Sequence, residues 1–488
     1  MSVIAFRLRR NTLQFSAFGA ALMLSLMLGI AIPILSTQSL YRLVMVAVAG
    51  LSGFGLLISG QPRRILMFAL LVAIPLNLAF SPLGALPPYH AGGAPDGFLI
   101  YLYDLPLLGL VVLWLLDILI HKAPIRLTAI DVVAVLFIVW SCLSLYKSTN
   151  ISLSLFEVLR MIKLYLLAHI IGNLVNSKAL VWTAIIGLGL AVIAQAGVTI
   201  LQYVLNYDLG GLGFVVGDTH RVSGTVGWPN TLGAYIAAAM CVPLSLWLCK
   251  VGGRRRWLLL VLCLIATLPL MFTLSRGAWL GLAAGFITIV VLGFRGSWLT
   301  GKSLSKVGII VLIAAVVGFL FSGPIAERFR EPTIAVRGNL NMVAASMIAS
   351  SPVLGVGLNT FVEVMPNYDS TGVFAYFPEP VHNVFLLIAA ETGLVSLGLF
   401  LILLALVFRV GIQALLRGDR FLSVTVIGLL GGLTAILVSN LGDVHLKTDV
   451  VYSLFWVYIG LIQAIRRISP LSDATSSAVV AVSSERMK

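Results

Sequence analysis

The chain has 488 residues, of which 60% are hydrophobic and only 10% are charged. The surface of a water-soluble domain needs roughly a quarter of its residues to be charged, so this composition excludes a soluble fold. The 32 Lys and Arg residues outnumber the 18 Asp and Glu residues, which gives a formal net charge of +14. These cations lie singly or in short groups between apolar runs, which is typical of an integral membrane protein and not of a nucleic-acid-binding one.

Apolar segments recur along the whole chain, and a membrane-spanning helix needs about 20 apolar residues. Two of the segments, near 65–80 and 257–273, are short. The sequence therefore predicts an all-α polytopic integral membrane protein with 12–14 transmembrane helices. In chain order, the predicted segments lie near 15–35, 41–59, 65–80, 99–120, 128–146, 156–175, 180–205, 230–250, 257–273, 277–294, 306–322, 382–408, 421–440 and 449–465.

The distribution of Lys and Arg predicts the orientation, because cytoplasmic connections are enriched in both. If the N-terminal RLRR sequence is cytoplasmic and the spans alternate, 22 of the 32 cations lie inside. We therefore expect both termini in the cytoplasm and the two long connections outside. The predicted regions are N-terminal spans over 1–205, an outer loop over 206–229, central spans over 230–322, a large outer loop over 323–381, C-terminal spans over 382–466 and a disordered cytoplasmic tail over 467–488.

Two arginines on the predicted outer face need a local explanation, since outer connections are poor in positive charge. Arg221 opens the motif RVSGTVGWPN, in which Gly and Pro predict a turn and Asn230 a helix cap. Arg276, in TLSRGAWLGL, lies between two apolar runs, where burying a guanidinium group costs about 2–3 kcal/mol. Each arginine has two interpretations, anion binding and a structural role such as snorkelling to the headgroups.

The large outer loop leads to a histidine. Residues 337–350, which begin with Arg337, have helical periodicity but are too short to span, which favours an amphipathic helix along the membrane surface. The following SPVLGVGLNTF lacks the third glycine and the preceding strand of a dinucleotide-binding fingerprint. His382 and Asn383 then open the next span. A lone histidine is usually a hydrogen-bonded structural residue, yet a neutral imidazole at the membrane edge suits a general base.

Two further groups of charged residues lie near the same face. Glu157, Arg160 and Lys163 share one helix face, where they either satisfy one another or form a second anion contact. Metal ligation and a solvated loop are the alternatives for the last outer connection, and we prefer the solvated loop. That connection carries Asp443, His445, Lys447 and Asp449. The sequence contains no D-x-D, H-E-x-x-H or Cys/His cluster, so we predict no metal site and no cofactor.

Arginines and a histidine at an outer membrane face, without a metal, indicate a phosphate-bearing lipid substrate. Guanidinium groups bind phosphate oxygens bidentately and stay charged at any physiological pH. A diphosphate leaving group gains negative charge as its bond breaks, so fixed arginines stabilise the transition state more than the ground state. The histidine would remove a proton from the attacking hydroxyl. Sugar nucleotides are cytoplasmic and usually need a metal, which favours a lipid-linked donor.

At these residues the sequence resembles the O-antigen ligase/polymerase superfamily of bacterial envelope proteins. The resemblance covers roughly residues 215–400. It is carried by GTVGWPN after Arg221, SRGAWLGL at Arg276, SPVLGVGLNTF after Arg337 and HNVFLLIAAETGL at His382. Each motif alone is weak, but their order and their common predicted face make the set fairly specific.

The resemblance implies a metal-independent, inverting glycosyltransferase with a lipid donor, of GT-C type architecture, in the bacterial inner membrane. It implies that Arg221, Arg276 and Arg337 bind the donor diphosphate and that His382 is the catalytic base, at the periplasmic face. As candidate supporting residues we add Asn383, Arg160 and Lys163.

The implied substrates are an undecaprenyl-diphosphate-linked glycan and an acceptor glycan, either a lipid-linked repeat unit or lipid A-core. Membrane lipids and a chain-length regulator are the expected partners, and nucleic acid is not. We favour polymerisation of O-antigen or exopolysaccharide repeat units. The alternative is ligation to the lipopolysaccharide core, or transfer to a protein Ser.

A non-enzyme alternative is a polysaccharide exporter or flippase, which would carry ionisable residues deep in its spans. Charge is sparse there. Asp104 and Asp117 lie near opposite ends of one predicted span, and Glu391 lies about two turns into another. Because the charged residues gather at one face, catalysis is the preferred interpretation.

Overall fold

The computed structural model describes residues 60–81, 97–205, 215–216, 221–301, 305, 308, 333–415 and 419–469. Within these ranges the regular secondary structure is helical apart from two short antiparallel ladders, β1 with β2 and β3 with β4. The helices are α1 Pro62–Ala73, α2 Asp104–His121, α3 Ala129–Leu143, α4 Ile151–Leu174, α5 Lys178–Leu205, α6 Pro229–Leu248, α7 Arg256–Phe272, α8 Arg276–Arg295, α9 Thr333–Ser350, α10 Phe361–Val364, α11 Val384–Leu415, α12 Arg420–Ser439 and α13 Asp449–Ile468. The strands are β1 Ala79–Phe80, β2 Ile100–Tyr101, β3 Val215–Val216 and β4 Arg221–Val222.

Nine helical segments in the described ranges are long and apolar enough to cross a membrane: α2, α3, α5, α6, α7, α8, α11, α12 and α13. Two of these segments include an adjoining 3-10 helix, which extends α3 to Lys147 and starts the α7 segment at Gly253. The nine segments confirm the predicted class, an all-α polytopic membrane protein. The predicted segments near 65–80 and 156–175 are also helical, as α1 and α4. Three other predicted spans, near 15–35, 41–59 and 306–322, fall on residues outside the described ranges, as does nearly all of the 467–488 tail. The total of 12–14 spans stays a prediction.

Contacts between helix ends define two ends of the bundle. At one end, Asn230 in the first turn of α6 donates to Asp443, which follows α12, over 2.9 Å. We call this the site end. At the opposite end, Arg63 near the start of α1 pairs with Asp117 near the end of α2 over 2.6 Å. This arrangement agrees with the alternating direction of helices in a polytopic membrane protein.

Helix α6 lies wholly buried at the centre of the bundle, between α8 and α12 on one side and α7 on the other. Helix α8 approaches α12 closely through small residues. A Cβ added at Gly281 would lie 2.5 Å from the carbonyl oxygen of Ala435, and one at Gly285 would lie 2.6 Å from that of Gly431. Lipid provides no hydrophobic drive for helix association, so such close backbone packing holds membrane helices together. It also fixes the position of Arg276, the first residue of α8.

Helix α11 is interrupted at Gly393, whose φ of 86° and ψ of 169° are not helical. The loop after α9 packs into this break. Its Val356 N–H donates to the carbonyl of Ala390 over 2.8 Å, and its Gly357 N–H donates to that of Glu391 over 3.0 Å. A broken helix is tolerated at membrane depth only where the freed backbone groups find partners. The SPVLGVGLNTF motif therefore has a structural role, to complete α11.

The described part of the predicted outer loop, residues 333–381, folds onto the start of α11 around a small apolar core of its own. Helix α9 contains the predicted helix over 337–350 and buries one face in this core. The core includes Leu340, Val343 and Met347 of α9, Phe361 of α10 and Leu387 of α11. This packing holds Arg337 at the site end.

Candidate functional site

Three arginines from separate elements meet near one carboxylate at the site end. Arg221 lies on β4, Arg276 on α8 and Arg337 on α9, and we call them the arginine cluster. Arg337 Nη2 lies 4.0 Å from Asp443 Oδ2, while Arg276 lies near enough to both other arginines to repel them. Asp443 is the acid that the described contacts place beside this cluster.

Arg221 is held by fixed acceptors. Its Nε donates to the Thr273 carbonyl over 2.8 Å, and its Nη2 donates to Asn230 Oδ1 over 2.5 Å. The Asn230 amide in turn donates to Asp443, so it bridges the arginine and the acid. The prediction that Asn230 caps a helix is wrong, because Trp228 occupies the N-cap of α6. The Asn230 side chain instead links Arg221 to Asp443.

Burial and the neighbouring positive charges shift the pKa values of the groups in the arginine cluster. Burial lowers the pKa of Arg221 to about 10, with Asp443 opposing this shift and the other two arginines adding to it. Burial likewise lowers the pKa of Arg337, and Arg276 adds to the effect. Burial disfavours the ionised form of Asp443, yet two nearby histidines, a backbone N–H and Arg337 hold its pKa below the usual range. A bound anion would relieve the repulsion among these guanidinium groups.

Two buried glutamines of α5 position the loop that follows Arg221, and the sequence analysis missed them. Gln202 donates to the Gly224 carbonyl over 3.0 Å and accepts from its N–H over 2.9 Å. Gln195 accepts from the Thr225 N–H over 3.1 Å. We call this pair the glutamine clamp. The sequence did contain a signal for this pair: two glutamines seven residues apart lie on one face of an apolar helix. A buried amide without a hydrogen bond is costly, so both side chains needed partners.

His382 lies just before α11 and within electrostatic range of Asp443. Its Nδ1 is 3.0 Å from the Pro380 carbonyl oxygen. Because a carbonyl only accepts, the neutral ring carries its proton on Nδ1 and its lone pair on Nε2. Asn383 begins the helix, as predicted, with its Oδ1 accepting from the Phe385 N–H over 2.9 Å.

Arg160 and Lys163 are paired with acids of their own. Arg160 Nη2 lies 2.7 Å from a Glu157 oxygen, and Lys163 Nζ lies 3.4 Å from Asp104 Oδ2. Both cations also lie within 3.7 Å of Asp449. Of the two interpretations, this geometry favours charges that pair with one another, and it disfavours a second contact for a bound anion.

The connection between α12 and α13 is buried, so its interpretation as a solvated loop is wrong. His445 is 1% exposed and Lys447 is 7% exposed. Lys447 Nζ pairs with Glu391 Oε2 over 2.9 Å, and this acid in the broken part of α11 provides the counter-charge that permits burial. Among the described residues, no three His, Cys, Asp or Glu side chains group so as to hold a metal ion. Metal independence stays a prediction.

A bundle of apolar helices with an arginine-lined site at one end defines a polytopic membrane protein with a cationic site. Residues 260–401 match a family model described as O-antigen ligase. The match confirms the predicted resemblance to the O-antigen ligase/polymerase superfamily over this part of the chain, and it supports an O-antigen ligase-type function. It includes Arg276, Arg337 and His382, whereas Arg221 and Asp443 lie outside it. No curated protein matches the chain.

Proposed function

We propose that this protein is an inverting glycosyltransferase that moves a glycan from undecaprenyl diphosphate to a sugar hydroxyl at the periplasmic face of the inner membrane. The arginine cluster carries the proposal. Its three guanidinium groups fit a diphosphate, because guanidinium groups bind phosphate oxygens bidentately. The family match supports the ligase-type reaction.

In this reaction the acceptor hydroxyl attacks the anomeric carbon from the side opposite the diphosphate, so the configuration inverts. The bond between the anomeric carbon and the diphosphate oxygen breaks, and negative charge builds on the leaving group. Arg221, held by Thr273 and Asn230, needs little reorganisation to stabilise that charge. The products are free undecaprenyl diphosphate and the extended glycan.

His382 takes the proton of the attacking hydroxyl. The contact of its Nδ1 with the Pro380 carbonyl supports this role, because it leaves the Nε2 lone pair as the proton acceptor. The charge of Asp443 then stabilises the imidazolium that forms, and the ring later returns its proton to water.

For the acceptor, we propose a lipid-linked repeat unit, so that the reaction polymerises O-antigen or exopolysaccharide. Ligation to lipid A-core is the second candidate, and the O-antigen ligase description of the matched family favours it. Both reactions use the same donor chemistry and the same arginines.

Replacing one arginine with lysine tests the diphosphate-binding role, because lysine keeps the charge but loses the bidentate geometry. Arg276→Lys should lower the rate of glycan transfer about 100-fold, measured in membranes with a lipid-linked donor. The matched control is Arg295→Lys at the other end of α8, about 28 Å away, which should retain the wild-type rate. Equal rates in the two variants would overturn the proposed role of Arg276.

A further inference from the structure

A second cationic cavity lies at the end of the bundle opposite the arginine cluster. It has a volume of about 260 Å³ and lies between α3, α4, α11 and α13. Along α13, 18 residues separate Asp449 at the site end from Arg467 in this cavity, or about 27 Å. All its lining residues lie outside the family match over 260–401. Its polar lining includes Arg126, Asn173, Gln463, Arg466 and Arg467.

The acid in this cavity is already used by its neighbours. Asp131 Oδ2 accepts from both the backbone N–H and the hydroxyl of Thr128 over 2.7 Å, as part of the capping box that begins α3. Its Oδ1 lies 2.8 Å from His169 Nδ1. These bonds occupy both carboxylate oxygens. The bonds of Asp131 therefore go to Thr128 and His169 and not to Arg126 or Arg467.

The arginines differ in what holds them. Arg467 donates to the carbonyls of Gly172 and Val175 and so closes the last turn of α4. Arg126 lies close enough to Arg467 to repel it, and in the described part of the chain its guanidinium pairs with no acid. Its backbone N–H donates to Asn173 over 3.1 Å, which fixes the main chain beside the cavity. Arg126 thus adds a positive charge that no acid among the described residues balances.

We propose that this cavity binds the phosphodiester headgroup of an anionic phospholipid from the adjacent leaflet. The charge fits a phosphodiester, and basic pockets between transmembrane helices bind acidic lipid headgroups. The surroundings favour a lipid over a soluble anion, since Ile130 and Val410 line the cavity. Ile125 and Leu127, on the connection beside it, are 53% and 68% exposed, as expected of side chains that contact acyl chains.

The test uses the full-length protein in detergent, with phosphatidylglycerol, phosphatidylcholine or inorganic phosphate added at equal concentration. Phosphatidylglycerol should raise the unfolding temperature and remain bound in native mass spectrometry, whereas phosphatidylcholine and phosphate should do neither. An equal effect of phosphatidylcholine would overturn the headgroup assignment. Binding of phosphate as tight as that of the lipid would make the cavity a soluble-anion site, contrary to the proposal.

Variants locate the binding. Arg126→Gln should weaken phosphatidylglycerol binding about tenfold, and Arg126→Gln with Arg466→Gln about 100-fold. Lys122→Gln removes a charge from an exposed residue of the same connection that does not line the cavity, and it should bind as the wild type does. Equal affinity in Arg126→Gln and Lys122→Gln would refute the assignment. Because Arg126 is exposed, the single variant Arg126→Gln keeps the test valid if the double variant fails to fold.

Discussion

His382 and His445 both lie near Asp443 but in different surroundings. His445 is buried, with its Nε2 4.0 Å from Asp443 Oδ2. Burial lowers its pKa, with Asp443 opposing the shift and His382 and Arg337 adding to it. His382 is only partly buried and presents Nε2. We therefore assign the base to His382 and a structural role to His445.

Loss of the base should be severe. His382→Ala should reduce glycan transfer about 100- to 10,000-fold, as general-base catalysis contributes that much. The variant should still insert and purify like the wild type. His121→Ala removes a 63% exposed histidine from the opposite end of the bundle and should keep full activity. Normal transfer by His382→Ala would refute the base assignment.

The lowered pKa of His445 makes the stability of the protein depend on pH. Its pKa is lower in the folded protein than the value near 6.5 of an unfolded chain, so the unfolded state binds the proton more readily. Stability should therefore fall as the pH drops below about 6.5. Thermal unfolding between pH 7.5 and 5.5 measures this, and His445→Gln should flatten the slope. The same slope in both proteins would contradict the prediction.

The separate residues of the site were predictable, but their arrangement was not. Arg276 and His382 were predicted because an arginine between apolar runs and a histidine at a span start are visible in sequence. The bridge from Arg221 through Asn230 to Asp443 was missed, since 213 positions separate the last two. Sequence spacing gives no indication of such a contact.

At the scale of elements, the break in α11 sets the position of the large outer loop. Hydropathy predicted the span and the helix over 337–350, because both depend on local apolar patterns. It gave no sign of the break, since averaging over an apolar window conceals one residue of unusual φ. The glycines of SPVLGVGLNTF came closest to indicating the break. However, the backbone carbonyls that this loop binds belong to α11, a different element.

Two glycines of α11 provide a matched comparison. A Cβ at Gly393 would lie 2.0 Å from a backbone oxygen, at a φ of +86°, whereas nothing lies within 4 Å at Gly398. Gly393→Ala should therefore destabilise the protein by at least about 1–3 kcal/mol. Gly398→Ala should be neutral or stabilise slightly, by up to about 1 kcal/mol. Unfolding in denaturant measures both, and similar stabilities would mean that the break is not required.

For the whole molecule, the glycan phenotype of a deletion strain distinguishes the two acceptors. A polymerase predicts loss of long chains with single repeats retained, because ligation of single units continues. A ligase predicts long chains that accumulate on the carrier lipid. Gel analysis of surface and carrier-bound glycans measures both, and a plasmid-borne wild-type copy should restore the original pattern. An unchanged glycan profile would contradict either assignment.

Composition was enough to predict the class of the molecule, because a chain with 10% charged residues cannot cover a soluble surface. Hydropathy located the helices. The positions of Lys and Arg predicted which helix ends lie on the same side of the membrane. The second cationic cavity was not predictable, since Arg126 and Arg467 belong to a connection and a helix end that carry no recognisable motif. They become neighbours only when α13 packs along α4.

The partner that completes α11 precedes it in the chain. During synthesis on the ribosome, the loop after α9 emerges before Ala390 and Glu391, whose carbonyls it later binds. The open carbonyls of the nascent helix therefore find the N–H donors of Val356 and Gly357 already in place when the helix leaves the translocon. A circular permutation that placed this loop after α11 would keep every contact yet expose those carbonyls to lipid during insertion.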